Sequence, residues 1–270
     1  MTSPFDLFLF STDPLFVQQA VAAGVAGVVI DWEQSGKADR QRHADTEINA
    51  QTADDLRAVR EATPARILCR INPHGATTER EIEDAIAAGA DEILLPMVRA
   101  AEEVRAALTF AGGRCGVGML VETVDAVQRL DALCQLPLSR VYVGLNDLAI
   151  DRREPCIFSP LLDGTLERIR SKVKVPFGFA GLTLVREGFP VPCRLLIGEM
   201  ARLECSFTFL RRSFHRDVTG QPLTRAVPEI LDALASARRR RSDVVERDRL
   251  ELHAAVGAAV QATGAPLSVS

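Results

Sequence analysis

The chain has 270 residues, 47% of them hydrophobic and 25% charged, which excludes a disordered or collagen-like protein and leaves one large globular domain or two small ones. Its 32 basic and 36 acidic side chains give a formal charge of -4, which excludes any general attraction to nucleic acid or to an anionic membrane. The longest apolar run, 20–30, contains two glycines and falls far short of the roughly 20 residues that cross a bilayer, so no membrane span is expected. A strand-like segment beginning at Phe5 leaves no room for a cleavable leader, and the expected location is the cytoplasm.

Short β-rich apolar runs alternate with longer segments of helical period through the first 210 residues. The strands are predicted at 5–11, 27–33, 66–72, 92–98, 115–122, 140–146, 177–184 and 206–210. The helices between them are predicted at 14–23, 46–62, 78–88, 101–111, 124–133, 161–172 and 195–203, with an eighth after Pro228. Asp13 before Pro14, and Thr77 with Thr78 before glutamates, are helix-start signals. Gly89 and Gly112 are stop signals. Eight β-then-α units over about 240 residues have the count and length of a (β/α)8 TIM barrel, an α/β fold. A doubly wound open sheet competes, but neither G-x-G-x-x-G after the first strand nor G-x-x-x-x-G-K-[ST] occurs. The expected division is a barrel domain over 1–241 and a charged helical extension over 242–270, packed on the barrel or on a neighbouring subunit. The basic run 238–241 is followed by acids and reads as a solvated helix face.

Six cysteines (Cys69, Cys115, Cys134, Cys156, Cys193, Cys205) show no C-x-x-C pair and read as small apolar residues. The four histidines are scattered without zinc spacing, so any metal must be held mainly by oxygen.

In a parallel barrel the strand interiors are apolar, and reactive groups collect where the strands end. Strand two ends in Asp31 and Glu33, strand three in Arg70 and Asn72, strand five in Glu122, and strand six in Asn146 and Asp147. Residues two apart share a strand face, so four carboxylates and one guanidinium converge on the mouth. Such a cluster is costly unless a cation joins it. All-oxygen ligation suits Mg²⁺ or Mn²⁺ better than Zn²⁺, with Glu122 and Asp147 as the candidate ligands. Plainer readings stand beside these: Glu122 as a charge favouring the next helix start, Asp147 as a cap of a short turn, and Arg70 as a structural partner of Asp31 or Glu33.

At these residues the sequence resembles the HpcH/HpaI aldolase and citrate lyase β-subunit superfamily, across roughly residues 5–215. The resemblance rests on Ile30-Asp31-Trp32-Glu33, Arg70-Ile71-Asn72-Pro73, Leu95-Pro96-Met97-Val98, Glu122-Thr123 and Gly144-Leu145-Asn146-Asp147. It implies a TIM barrel, a Mg²⁺ or Mn²⁺ ion on Glu122 and Asp147, and Arg70 against the oxyanion of a substrate. It also implies a substrate pocket that includes Asn72, Met97 and residue 34. One departure matters: the aldolases carry a histidine directly after the strand-two glutamate, and here that position is Gln34. An amide is no useful base, so Glu33 or Asp31 is expected to take that role, with His43 as a lesser candidate. The long polar loop 34–49, with Lys37, Arg40 and Arg42, is read either as a lid that binds anionic groups or as plain surface.

The expectation is therefore a divalent-metal-dependent carbon-carbon lyase of the aldolase type, acting through an enolate on a small 2-oxo or 3-hydroxy carboxylate. One alternative is a CoA-thioester lyase or thioesterase of the malyl-CoA or citramalyl-CoA type. An alternative of another class is a non-catalytic carboxylate-binding or assembly subunit. The expected partners are a small carboxylate, with no nucleic acid or membrane, and further copies of the chain in a ring of three or six.

Overall fold

Short, near-continuous apolar runs, with a helical segment after each, produce parallel strands that are buried on both faces, alternate side chains pointing into the barrel and out toward the helices. The computed structural model describes residues 5–34 and 51–262. In chain order the elements are β1 (Asp6–Phe10), α1 (Pro14–Ala22), β2 (Gly27–Asp31), α2 (Ala53–Ala62), β3 (Arg66–Arg70), α3 (Thr78–Ala88), β4 (Glu92–Leu95) and α4 (Ala101–Ala111). They continue with β5 (Gly116–Val121), α5 (Val124–Gln128), α6 (Leu130–Leu133), β6 (Val141–Val143), α7 (Leu145–Arg152), a 3-10 turn (Ser159–Leu161), α8 (Thr165–Lys172), β7 (Phe177–Phe179) and β8 (Gly181–Leu182). The last are α9 (Cys193–Arg202), β9 (Phe207–Leu210), α10 (Ser213–Asp217), α11 (Leu223–Ala237) and α12 (Ser242–Ala262).

All strand pairings are parallel, in the order β7-β6-β5-β4-β3-β2-β1-β9-β8. Only Ala180 separates β7 from β8, so these are two pieces of one seventh strand: the first pairs with β6 and the second with β9. The sheet thereby closes on itself as a (β/α)8 barrel, and the open-sheet alternative is excluded. Ala180 has a left-handed φ of 50°, and its carbonyl accepts from the Tyr142 hydroxyl and from Thr208 Oγ1. Those two hydrogen bonds hold the residue in a conformation that an L side chain rarely adopts.

The inward-facing residues form stacked layers. Phe8, Val29, Leu68, Leu94, Leu120, Tyr142, Phe207 and Phe209 fill the barrel, while a larger apolar core lies between its outer face and the helices. Below them a buried ion pair closes the floor. Arg140 Nε donates to Glu92 Oε1 at 2.7 Å, and the guanidinium lies between the rings of Phe8 and Phe207, 4.6 and 4.7 Å from their centroids.

Helix starts and stops follow the local signals at α1, where Asp13 accepts from Leu15 N and Phe16 N, and at α3 and α4, which end on left-handed Gly89 and Gly112. Several predicted bounds need correction. The eighth barrel helix begins at Leu223, before Pro228; the proline sits inside it, and burial of Leu223, Ala226, Val227, Ile230 and Leu234 offsets the lost backbone bond. The segment predicted at 124–133 breaks at Arg129 into α5 and α6. The one predicted at 161–172 becomes a 3-10 turn and α8, with left-handed Gly164 between them. The extension forms α12, which buries Leu252, Val256 and Val260 and ties to the barrel through Arg240–Asp248 and Arg249–Glu167. No helix is long and apolar enough to cross a membrane among the described residues. All six cysteines are free thiols, four of them buried.

Candidate active site at the barrel mouth

The inward alternation that places Val29, Leu68 and Leu120 inside the barrel carries on to Asp31, Arg70 and Glu122 one step further along the same strands. Asp31 and Arg70 are direct partners in the β2–β3 ladder, so their side chains emerge side by side. The carboxylate of Asp31 is fully buried and accepts from Arg70 Nε at 2.9 Å and Nη2 at 2.8 Å, a bidentate pair. Arg212, just beyond β9, donates to the same carboxylate at 3.0 Å. Glu33, also buried, lies 3.3 Å from Arg70 Nη1. Burial disfavours the charge on Arg70, but Asp31 and then Glu33 outweigh it and hold its pKa above the ordinary arginine value. Arg70 is thus paired, as its plainer reading held, while it also lines the cavity.

Glu122 follows β5 and is 2% exposed. One of its oxygens accepts from the backbone N–H of Met97 at 3.0 Å; Met97 has a left-handed φ of 53°, which aims that N–H inward. The other oxygen lies over Gly144, where a β-carbon would come within 2.4 Å of it, so only glycine fits there. Glu122 therefore does not serve the start of α5; Thr123 does, accepting from Ala126 N at 3.0 Å. Gly144 leads into α7, in whose first turn Asp147 is buried. A short turn is the plainer expectation here, and a helix forms instead. Burial first, then Asp147, then Glu33 push the Glu122 carboxyl up to about 8, against the pull of Arg70 and the Met97 N–H.

Glu122, Asp147, Arg70, Tyr142 and Arg211 line one cavity of about 270 Å³, flanked by apolar Ile157, Phe158 and Phe189. A wider vestibule of about 810 Å³ adjoins it and adds Arg212 and Arg216. Burial, and next the proximity of Glu122, keep the Tyr142 phenol protonated well above its usual range. Of the other predicted pocket residues, Asn72 is a tie at the rim: it donates to Glu81 at 3.0 Å and accepts from Gln34 N at 2.9 Å. Asn72, Gln34 and Met97 are not among the described lining of the cavity. Lys37, Arg40, Arg42 and His43 lie outside the described residues. Arg211 and Arg212 were missed, although two arginines directly after the last strand obey the strand-end rule applied elsewhere.

No group of three or more His, Cys, Asp or Glu side chains is arranged as a metal cage among the described residues. Glu122 and Asp147 nevertheless offer a two-carboxylate oxygen donor set, with Glu122 driven toward its protonated form by burial and then by its carboxylate neighbours. That set fits a hard divalent ion that keeps several waters or substrate oxygens.

Fold and site define an α/β-barrel of the enzyme type, with acidic and arginine side chains around a cavity at the strand ends. The sequence matches the family model "HpcH/HpaI aldolase/citrate lyase" over residues 5–155, more than half of the chain, and the protein belongs to that family. Membership supports a lyase-type activity. No curated protein sequence matches the chain. Among solved structures it is similar to the citrate synthase SbnG, at 19% identity and a TM-score of 0.60, covering 81% of this chain and 91% of that one. It is also similar to an HpcH/HpaI aldolase from Desulfitobacterium hafniense DCB-2 at 14% identity and 0.61, covering 88% and 95%. RipC from Yersinia pestis matches at 15% identity and 0.56, covering 91% and 100%. These likenesses show the shared fold.

Proposed function

We propose that the protein is a divalent-metal-dependent carbon-carbon lyase of the aldolase type, which cleaves or forms the bond between C3 and C4 of a small 2-oxo acid, one bond removed from the carbonyl, so that the electron pair is held as an enolate. The observation that carries this reading is the buried Glu122, its pKa raised by burial and by Asp147, facing Arg70 across one cavity. Glu122 and Asp147 would hold Mg²⁺ or Mn²⁺. When bound, the ion would supply a Lewis acid for the carboxylate and carbonyl oxygens of the substrate.

The chain's own residues do the rest. Arg70 keeps its charge at any accessible pH and presents guanidinium N–H groups to the oxygen on which negative charge develops when the carbon-carbon bond breaks. Asp31, whose two oxygens are bonded by Arg70 and Arg212, orients that guanidinium. With an amide at position 34, Glu33 would be the carboxylate that moves the proton, directly or through a water. Ile157, Phe158 and Phe189 exclude water from the apolar side of the cavity.

The test is to incubate the protein with pyruvate plus aldehydes, and separately with malyl-CoA, with and without EDTA. EDTA-sensitive aldol product supports the reading. Turnover of malyl-CoA alone replaces it with the thioester reading, and no turnover with no metal uptake overturns both.

A further inference from the structure

Three of the four arginines at the mouth have a carboxylate partner. Arg70 and Arg212 share Asp31, and Arg216 pairs with Asp217 at 3.0 Å. Arg211 makes no ion pair among the described residues. Its backbone N–H donates to Leu182 O at 2.7 Å, which extends the pairing of β8 with β9 and fixes its position. Its side chain folds over Gly181, where a β-carbon would sit 2.8 Å from Arg211 Cγ, and its Nε donates to Gly181 O at 2.9 Å. Nη2 is buried and has no hydrogen-bond partner. A buried unsatisfied donor on a permanent cation is costly, and an incoming anion would recover that cost.

The guanidinium lines both the inner cavity and the vestibule, where one opens into the other, as do Asp147 and Arg70. One cavity thus carries a carboxylate pair suited to a cation at Glu122 and Asp147 and a cation with unspent donors at Arg211. The inner cavity of about 270 Å³ limits its ligands to small molecules.

We propose that Arg211 is the receptor for a second carboxylate, so that the ligands of this site are small oxo-dicarboxylic acids. One end of such an acid faces Glu122 and Asp147, and the other is clamped by Arg211. The planar fork of arginine suits a carboxylate at that position. The placement of the first end rests on the metal reading given above; the clamp at the second end rests on Arg211 alone.

The experiment is calorimetric titration of 2-oxoglutarate and of 2-oxopentanoate, which lacks the second carboxylate, into the full-length protein with and without Mg²⁺. The proteins are the wild type, Arg211→Met, Arg211→Lys and Gly181→Ala, each checked for an intact thermal transition. The wild type is expected to bind the dicarboxylate at least tenfold more tightly, and Arg211→Met to bring that ratio near one. Arg211→Lys is expected to keep part of the ratio. Gly181→Ala keeps the charge but displaces the side chain, and is expected to lower the ratio without removing the arginine. An equal affinity of the wild type for both acids, no binding of either, or a ratio preserved in Arg211→Met overturns the proposal. Binding of both acids that ignores Mg²⁺ overturns the metal reading instead, and the comparison between arginine and methionine still decides the clamp.

Discussion

Replacing Glu122 by glutamine removes a charge that the folded chain holds at a cost. In the folded protein the carboxyl titrates at about 8, against an ordinary value of 4.5, because it is buried and faces Asp147 and Glu33. A carboxyl whose pKa is raised on folding binds its proton more tightly in the native state. Its cost is therefore absent below pH 4.5, grows as the pH rises toward 8, and is constant above. At about 1.4 kcal/mol per pH unit, the metal-free wild type loses on the order of 5 kcal/mol across that window, and about half of this if Asp147 shares the proton. Glutamine keeps an acceptor for the Met97 N–H and carries no charge. Without metal, Glu122→Gln is expected to melt with the wild type at pH 5 and about 5–12 °C above it at pH 8.5. Saturating Mg²⁺ should raise the wild type at pH 8.5 and leave the variant unmoved. The readout is thermal unfolding by circular dichroism across this pH range, with EDTA and with Mg²⁺. Parallel pH profiles of the two proteins, or an equal response to Mg²⁺, would refute the reasoning.

Arg70→Lys keeps the charge but loses the bidentate fork on Asp31, and kcat for the lyase reaction should fall by about 10²–10³; steady-state kinetics showing less than a tenfold loss would remove Arg70 from the reacting oxygens. Asp31→Asn should lower kcat by about tenfold or more while the acid limb of the pH–rate profile stays in place, because Asp31 positions Arg70 and does not take the proton; loss of that limb would make Asp31 the base. Arg140→Met leaves Glu92 buried and unpaired in the barrel floor and should cost about 3–5 kcal/mol in urea unfolding. The double variant with Glu92→Gln should regain part of it, and a single variant as stable as the wild type would show that the floor pair is not needed.

The barrel was legible because its signals are local. Each strand is a short, largely buried apolar run, the start of α1 follows from Asp13, and the stops of α3 and α4 follow from Gly89 and Gly112. What was lost lacked such a signal. The segment of α7, LNDLAIDR, has asparagine and two aspartates in eight residues and little amphipathic contrast, and it becomes helical because Leu145, Asp147, Leu148 and Ala149 are buried against the barrel end. The helix through Pro228 is held by tertiary burial against local propensity. In the mouth, the ladder register made the neighbours Asp31 and Arg70 readable. The contact of Arg212 with Asp31 joins residues 181 positions apart, and no spacing rule reaches that far. The sequence count of four carboxylates around one guanidinium was for that reason too acidic.

That extra cation changes what the carboxylates can do. Asp31 and Glu122 are both fully inside the mouth, yet they have opposite surroundings: two arginines on the first, and Asp147 with Glu33 beside the second. The Asp31 charge is satisfied within the protein, so this group is an orienting part, and its removal acts through Arg70. The Glu122 charge is not balanced in the same way, so in the free protein it competes between holding a proton and meeting a cation from outside. A proton and a divalent ion cannot both occupy it. If the reading is right, metal uptake near neutral pH must release a proton, and the heat of Mg²⁺ binding at pH 7 must depend on the ionisation enthalpy of the buffer. Heats that are equal in phosphate and Tris would mean that the ion, if it binds, binds elsewhere.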